Sequence, residues 1–471
     1  MIKKFLAVLL LLIPVLVFPA DNLLDAAKEG DVAFIENFKG DINASLNDDG
    51  NTALMIAAQY GELKAVKTLI AAKADVNTVN KYGKMALMFA GEKGYAEVIQ
   101  ALIAAKADVN AGNFKNATAL MFTVQNGNAV AINALIDAKA DVNAADKDGW
   151  TALMIAAGKG HIDAVNALIT ARAEIDAVKK GGKTALMFAT EKGYTDIVKA
   201  LIAANANVNA ADKDGWTVLM IAAENGYADT ASALIAAKAD ISSATKTGWT
   251  IVMIAAYNGQ TEFVKALIEA KADVNAVSES GWNAVMAASV NGHTDTVKVL
   301  IEAKVDVNTV NKKNATALMI AAQLGFTEVV EALIAGKADI HVVDNEGWTA
   351  LMFAAQKGHT DTVKALIAGN ADVNSIKTDG ATALIIAAGN GQTDVVNILI
   401  GAKADINAAD NYGWTALMLA VENGHVDTIS ALIAGKADVN IVNKSGKMAL
   451  SIAYEKEDVA IINLLKKAGA K

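Results

Sequence analysis

Apolar residues recur along this chain in two alternating patterns. In one, Leu153, Ile155, Ala156 and Ala157 follow each other almost without a break, which predicts a short helix that Gly160 closes. In the other, shown by a later copy, Val363, Leu366 and Ile367 keep to one face at helical spacing, which predicts a second helix opening at Thr360-Asp361. A polar loop such as KADVNA at 139–144 returns the chain to a turn, Asp146-Lys147-Asp148-Gly149, and the pattern restarts.

The restart is strictly periodic. Thr52, Met85, Thr118, Thr151, Thr184, Thr217, Thr250, Asn283, Thr316, Thr349, Thr382, Thr415 and Met448 open the thirteen apolar runs, and every interval is 33 residues. A fixed period of this size means stacked repeats rather than separate globular domains. No interval is lengthened, so no loop has grown into an active-site lid. Residues 21–47, with LLDAAKEGDVAFIENF and then Asp41-Ile42-Asn43, read as a shorter N-terminal capping repeat. The array of full repeats covers 48–445, and 446–471 read as a C-terminal cap.

Each position of the unit has a physical reading. The Gly149 position holds only Gly or, at Asn116 and Asn314, Asn, the residues that best tolerate positive φ. The residue opening the run is Thr in ten of thirteen copies and Asn at Asn283, both good helix N-caps. Met85 and Met448 cannot cap, which predicts frayed helix starts there. The Leu366 position is Leu in all thirteen copies. The Ala156 position is nearly always small, so helices approach closely there.

Composition narrows the function. The formal charge is −9 and the pI about 5.2, which argues against general nucleic-acid binding, because that needs cationic surface. Residues 1–20 carry Lys3 and Lys4 and no acid, so the rest of the chain is more acidic still. With no Cys there is no disulfide, thiolate nucleophile or thiolate metal site. MIKKFLAVLLLLIPVLVFPA, apolar from Phe5 to Phe18, has the form of a secretory signal and is short for a spanning helix, which needs about 20 residues. Cleavage after Ala20 would start the mature chain near Asp21; the alternative is an uncleaved membrane anchor. No later segment is apolar enough to span a bilayer. The chain is expected to be exported, periplasmic or extracellular.

A 33-residue unit carrying D-x-x-G-x-T, A-A-x-x-G-H, L-I and A-D-V-N-A resembles the ankyrin repeat across residues 21–471. The resemblance implies an all-α solenoid of about 14 helix–turn–helix units with hairpin-like loops. At a neighbour spacing of roughly 8–10 Å, these would span on the order of 130 Å. Three departures stand out. The family's T-P-L-H is T-A-L-M here, so the Pro inside the helix is replaced by Ala152 and the hydrogen-bonding His by Met154. The Met column reads as core packing rather than a metal-binding row. Where the family favours a left-handed Gly after the second helix, this chain has Lys73, Lys106, Lys139, Arg172, Lys238, Lys271, Lys304, Lys337, Lys403 and Lys436, with Asn205, Asn370 and Gly469. A left-handed Lys costs about 1–2 kcal/mol, partly offset by a cation's attraction to the helix C-terminus of roughly 0.3–1 kcal/mol.

No enzyme is legible. His161, His293, His359 and His425 share one repeat position with Tyr95, Phe326 and Gln392, and residues that interchange in this way do not perform proton transfer. His341 stands alone in a loop. No phosphate loop, zinc spacing or nucleophile motif occurs, and no cofactor is implied.

The informative column is the residue before the cap: Asn51, Lys84, Ala117, Trp150, Lys183, Trp216, Trp249, Trp282, Ala315, Trp348, Ala381, Trp414 and Lys447. By resemblance it lies on the concave, hairpin-lined face used for partners. Trp is a preferred interface anchor. Trp216, Trp249 and Trp282, on consecutive repeats, are expected to form a ladder with steps of about 10 Å. Tyr82, Phe114 and Tyr412 at the loop tips, with Tyr60 and Tyr257 near first-helix ends, would extend the surface. The bland alternative is that each Trp only covers its own hairpin. Two function classes follow. One is a monomeric, non-enzymatic scaffold binding a protein or peptide; the other is a structural or protective envelope spacer with no specific ligand. Capture of a polyanion along the Lys column is disfavoured by Asp141 and its equivalents two residues away.

Overall fold

A computed structural model describes residues 22–471, so the secretory-type segment 1–20 lies outside the described residues. Among the described residues there are 28 helices, two per repeat, and β-structure is confined to isolated bridges such as Ala145 with Thr151. The chain is an all-helical repeat solenoid.

The repeat that opens at Asp146 shows how each unit forms. The Asp146 N–H donates to the Trp150 carbonyl at 3.0 Å. Its carboxylate accepts the N–H groups of Asp148 and Trp150, each at 2.9 Å. That turn requires Gly149 at φ 83°; Asn116 and Asn314 adopt 65° and 58° at the same place. The first helix, Ala152–Lys159, starts where the Thr151 hydroxyl accepts the Met154 N–H at 3.3 Å. It ends at Gly160, φ 84°. The second helix, Ile162–Thr170, buries Ala164, Val165 and Leu168 and carries Asp163 in its first turn.

Within each of the chain's two compact units, first helices pack on first helices and second on second in neighbouring repeats. Leu153, Met154, Ala156 and Ala157 are all at most 1% exposed, and the Met column from Met55 to Met418 is buried with them, filling the space between repeats. The approach is also close one residue beyond the small Ala156 column. A side chain on Gly91 would meet the Thr123 hydroxyl at 2.5 Å and the Ala119 carbonyl at 3.0 Å.

Two polar ladders run between repeats. Hairpin tips are joined by backbone bonds such as Lys147 N–H to the Lys115 carbonyl and Lys180 N–H to the Asp148 carbonyl, both 2.9 Å. In the return loops, the Asn110 side-chain carbonyl accepts the Asp141 N–H, and Asn143 accepts that of Glu174, both at 2.7 Å.

The Lys column is left-handed throughout, from Lys304 at φ 61° to Lys436 at 70°, with Arg172 at 63°. The expectation of frayed starts at Met85 and Met448 is overturned. Their helices begin at Ala86 and Ala449, the same place as in every capped copy. Met85 is itself buried at 2% exposure, so packing holds the first turn. At Met448 the Ser451 hydroxyl accepts its N–H at 2.9 Å and donates to its carbonyl at 2.8 Å.

The chain forms two compact units. One ends at Lys213 and also takes in Ser232–Ala239; the other comprises Asp214–Ala231 and Asp240–Lys471. Each is built of the same repeat.

Candidate protein-binding face

The hairpin bonds fix Asp146 to Trp150, and the indole lines one groove with Met154, Ile155 and Gly158 of its own first helix. All six tryptophans are half-buried, neither core residues nor fully exposed tips. Trp348 stacks on Phe353, with centroids 5.0 Å apart and planes at 21°. Trp249 meets Tyr257 edge-on at 5.8 Å and 80°. Trp249 and Trp348 therefore cover part of their own repeats and leave part of themselves to solvent, so for them the bland reading and the interface reading describe different faces of one side chain.

Rings also meet across repeats. Trp249 and Trp282 stack at 6.4 Å and 26°. This is closer than the expected step of about 10 Å, because indoles are long enough to lean along the repeat axis beyond the helix spacing. Trp150 stacks on Phe188 of the next repeat at 4.5 Å and 25°. Trp216, Trp249 and Tyr257 line one groove of about 400 Å³, and Trp282, Trp348 and Phe353 line another of about 650 Å³. Trp414 occupies the same hairpin position, its N–H bound by Asp410 at 2.8 Å.

At the loop tips Tyr82, Phe114 and Tyr412 are well exposed. Tyr82 and Phe114 border a groove of about 920 Å³ whose floor includes Ile56, Phe89 and Phe122. The Tyr82 hydroxyl donates to Asp49 at 3.2 Å, and that carboxylate pushes the phenol above its usual range.

Sequence reasoning missed two features of this face. The first is an aromatic column inside the first helix, Phe89, Phe122, Phe188 and Phe353, at a position otherwise mostly Ile. The Ile-to-Phe alternation in an almost constant helix was its signal. The second is a pairing rule. Wherever Lys precedes the cap, at Lys84, Lys183 and Lys447, a Glu follows eight residues later, at Glu92, Glu191 and Glu455, and each pair forms an ion pair. Cations also stand over rings: Lys84 over Phe122 at 4.6 Å, Lys179 over Trp150 at 4.9 Å and Lys377 over Trp348 at 5.4 Å.

Four histidines bridge neighbouring repeats. His161, His293, His359 and His425 each place Nε2 2.9–3.1 Å from a carbonyl at the end of the preceding repeat's first helix. Gln392 reaches the equivalent carbonyl, of Gln356, and Gln260 reaches that of Ala223, one residue earlier in its helix. The shared task is to tie one repeat to the next, which explains why these residues interchange. His341 occupies the loop position that most repeats fill with the bridging Asn. Among the described residues, no group of three His, Cys, Asp or Glu side chains gathers in a metal-binding arrangement, and no helix is long and apolar enough to cross a membrane.

The model of the family described as ankyrin repeats, three copies long, matches residues 23–113, 111–179, 171–245, 234–311, 252–344, 318–410 and 384–471. No curated protein matches the chain.

Proposed function

The chain belongs to the ankyrin-repeat family, and from that premise we propose that it is an exported, monomeric, non-enzymatic scaffold holding a protein or peptide partner on the concave face between its hairpins and first helices. Ankyrin repeats are in general protein-interaction scaffolds. The observation carrying this reading is the half-buried Trp column, whose rings join Phe188, Tyr257 and Phe353 into aromatic clusters at positions that other repeats fill with Lys or Ala. A fold requirement would not let Trp, Lys and Ala share one site. Rings with one face packed and one open suit interface anchors, because little side-chain freedom is left to lose on binding.

The spacer reading draws support from the Lys–Glu pairs, which satisfy one another within a repeat and ask nothing of a partner. The two separate experimentally. The mature chain is used as bait on the envelope fraction of the producing cell, beside a Trp216→Ala/Trp249→Ala/Trp282→Ala variant with an unchanged circular dichroism spectrum. A partner held by the wild type and lost by the variant supports the scaffold. No partner for either supports the spacer. Export is tested separately, by fractionation and N-terminal sequencing; a chain retained in the cytoplasm would overturn it.

A further inference from the structure

The first helix of each repeat carries one residue, in its last turn, that faces the column before the cap. Gln, Glu or Tyr fills this place in most copies, at Gln125, Glu191, Tyr257 and Gln356 for example, but it is Gly at Gly158 and Gly389, and of these two only Gly158 follows a repeat with Ala before its cap. The neighbouring repeat has Ala117 before its cap where Trp or Lys would project. These two truncations open a groove of about 480 Å³ in the unit that ends at Lys213. Its floor is Met121, Met154 and Ile155, and the stacked rings of Trp150 and Phe188 form part of its lining. A volume of roughly 300–1,000 Å³ is the range of pockets that enclose a ligand group.

The rim is cationic. Lys159 and Lys192 are exposed at its edge, and Lys179 stands over Trp150. Of the two carboxylates present, Glu191 is paired with Lys183, and Asp146 is occupied by the Asp148 and Trp150 N–H groups. The chain as a whole is anionic, but at physiological salt charges beyond about 8 Å are largely screened. A ligand seated here therefore responds to the local lysines rather than to the net charge.

Building on the proposed function, we propose that this groove is the receptor for one aromatic side chain on an acidic segment of the partner: the ring enters the space left by Ala117 and Gly158 against Trp150 and Phe188, and flanking carboxylates meet Lys159, Lys179 and Lys192. The apolar floor selects the ring and the lysines select its acidic surroundings.

Gly158 makes the proposal testable without harming the fold. A side chain built there meets nothing nearer than Phe188 Cβ at 3.6 Å, and other repeats already carry Gln at this place. Gly158→Gln therefore fills the groove and favours the helix. The probe is a fluorescein-labelled peptide of Glu and Asp around a single central Phe, titrated by anisotropy against the full chain. Expected outcomes are saturable binding to the wild type, a loss of at least about tenfold with Gly158→Gln or with Ala in place of the Phe, and a similar loss with Lys159→Glu/Lys192→Glu that shrinks as salt rises. Equal affinity for wild type and Gly158→Gln, or no binding by the wild type, overturns the inference. If the probe fails while the triple Trp variant still loses an envelope partner, this groove is wrong and the scaffold stands. If both fail, the scaffold reading falls with it.

Discussion

The ammonium of Lys84 lies 2.8 Å from the carboxylate of Glu92, eight residues further along and across the first helix of the same repeat. Lys447 and Glu455 repeat the arrangement at 2.6 Å. Lys84 is 22% exposed and Glu92 44%, so solvent screens much of the attraction. A double-mutant cycle of Lys84→Ala and Glu92→Ala, read by native-state hydrogen exchange of the helix Ala86–Lys93, should give a coupling below about 1 kcal/mol that declines with salt. A coupling of several kcal/mol, insensitive to salt, would mean that the pair is far less hydrated than its exposure shows.

Trp282 stacks on Trp249 but is only half-buried. Trp282→Ala should cost about 1–2 kcal/mol, from the lost stack and partial area, against the roughly 3–5 kcal/mol typical of a core ring. Leu267→Ala, where the side chain is 0% exposed, should cost about 2–5 kcal/mol. Urea melts of the two variants give the ranking. A Trp282→Ala loss as large as that of Leu267→Ala would make the indole a core residue and remove its case as an interface anchor.

Lys139, at φ 68°, follows the helix Ala129–Asp137 in a Schellman arrangement: its N–H donates to Ile136 and that of Ala140 to Leu135, both at 2.9 Å. Asn110 of the previous repeat brackets it, donating to the Lys139 carbonyl at 3.3 Å and accepting from Asp141 at 2.7 Å. All these bonds belong to backbone or to Asn110, so they survive removal of the Lys side chain. Lys139→Gly should then relieve a left-handed penalty of about 1–2 kcal/mol while losing some of it to unfolded-chain entropy and the lost dipole attraction, a net gain of about 0.5–1 kcal/mol by urea melt. No gain would mean that unfolded-chain entropy and dipole attraction together offset the strain.

How far these features were legible in the sequence follows from the repeat itself. A period of 33 residues averages away local ambiguity, so the turn, the cap, both helices and the left-handed Lys column could be read from column identities alone. Reading fails where a feature depends on contacts between columns. Met85 offers no cap, yet its helix starts on time because packing supplies what the side chain lacks. The Trp249–Trp282 step is set by how far indoles lean, which no spacing encodes. The groove at Gly158 arises from a residue that is missing, and it shows only when Ala117, Gly158 and Phe188 are seen to share one space.

The loop ladder supplies a final test, because it is interrupted. Asn275, Asn308, Asn374 and Asn407 each accept the backbone N–H of the next repeat's return loop, at Asp306, Asp339, Asp405 and Asp438, at 2.7–2.8 Å. At the equivalent position stand Ser242 and His341, and among the described residues the N–H groups of Asp273 and Asp372 donate no such bond. The Ser242 side chain is too short to cross and turns back to donate to Asp240 at 2.6 Å; with Ser243 it holds that carboxyl below its usual range. Ser242→Asn restores the reach, and His341→Asn restores both reach and shape. Each should raise stability by about 0.5–1 kcal/mol, the lower part of the range for a net hydrogen bond because the loop is solvated. Ser242→Asn also removes a hydroxyl donor from Asp240. A carboxyl held low when folded adds stability above its unfolded pKa and loses it as the pH falls through the folded value. The gain from Ser242→Asn should therefore be smaller at neutral pH than at strongly acid pH, where Asp240 is protonated in both chains, whereas the gain from His341→Asn carries no such carboxylate dependence. Slower amide exchange at Asp273 and Asp372 in the respective variants is the direct readout; unchanged exchange at both would show that the Asn ladder does not join repeats in solution.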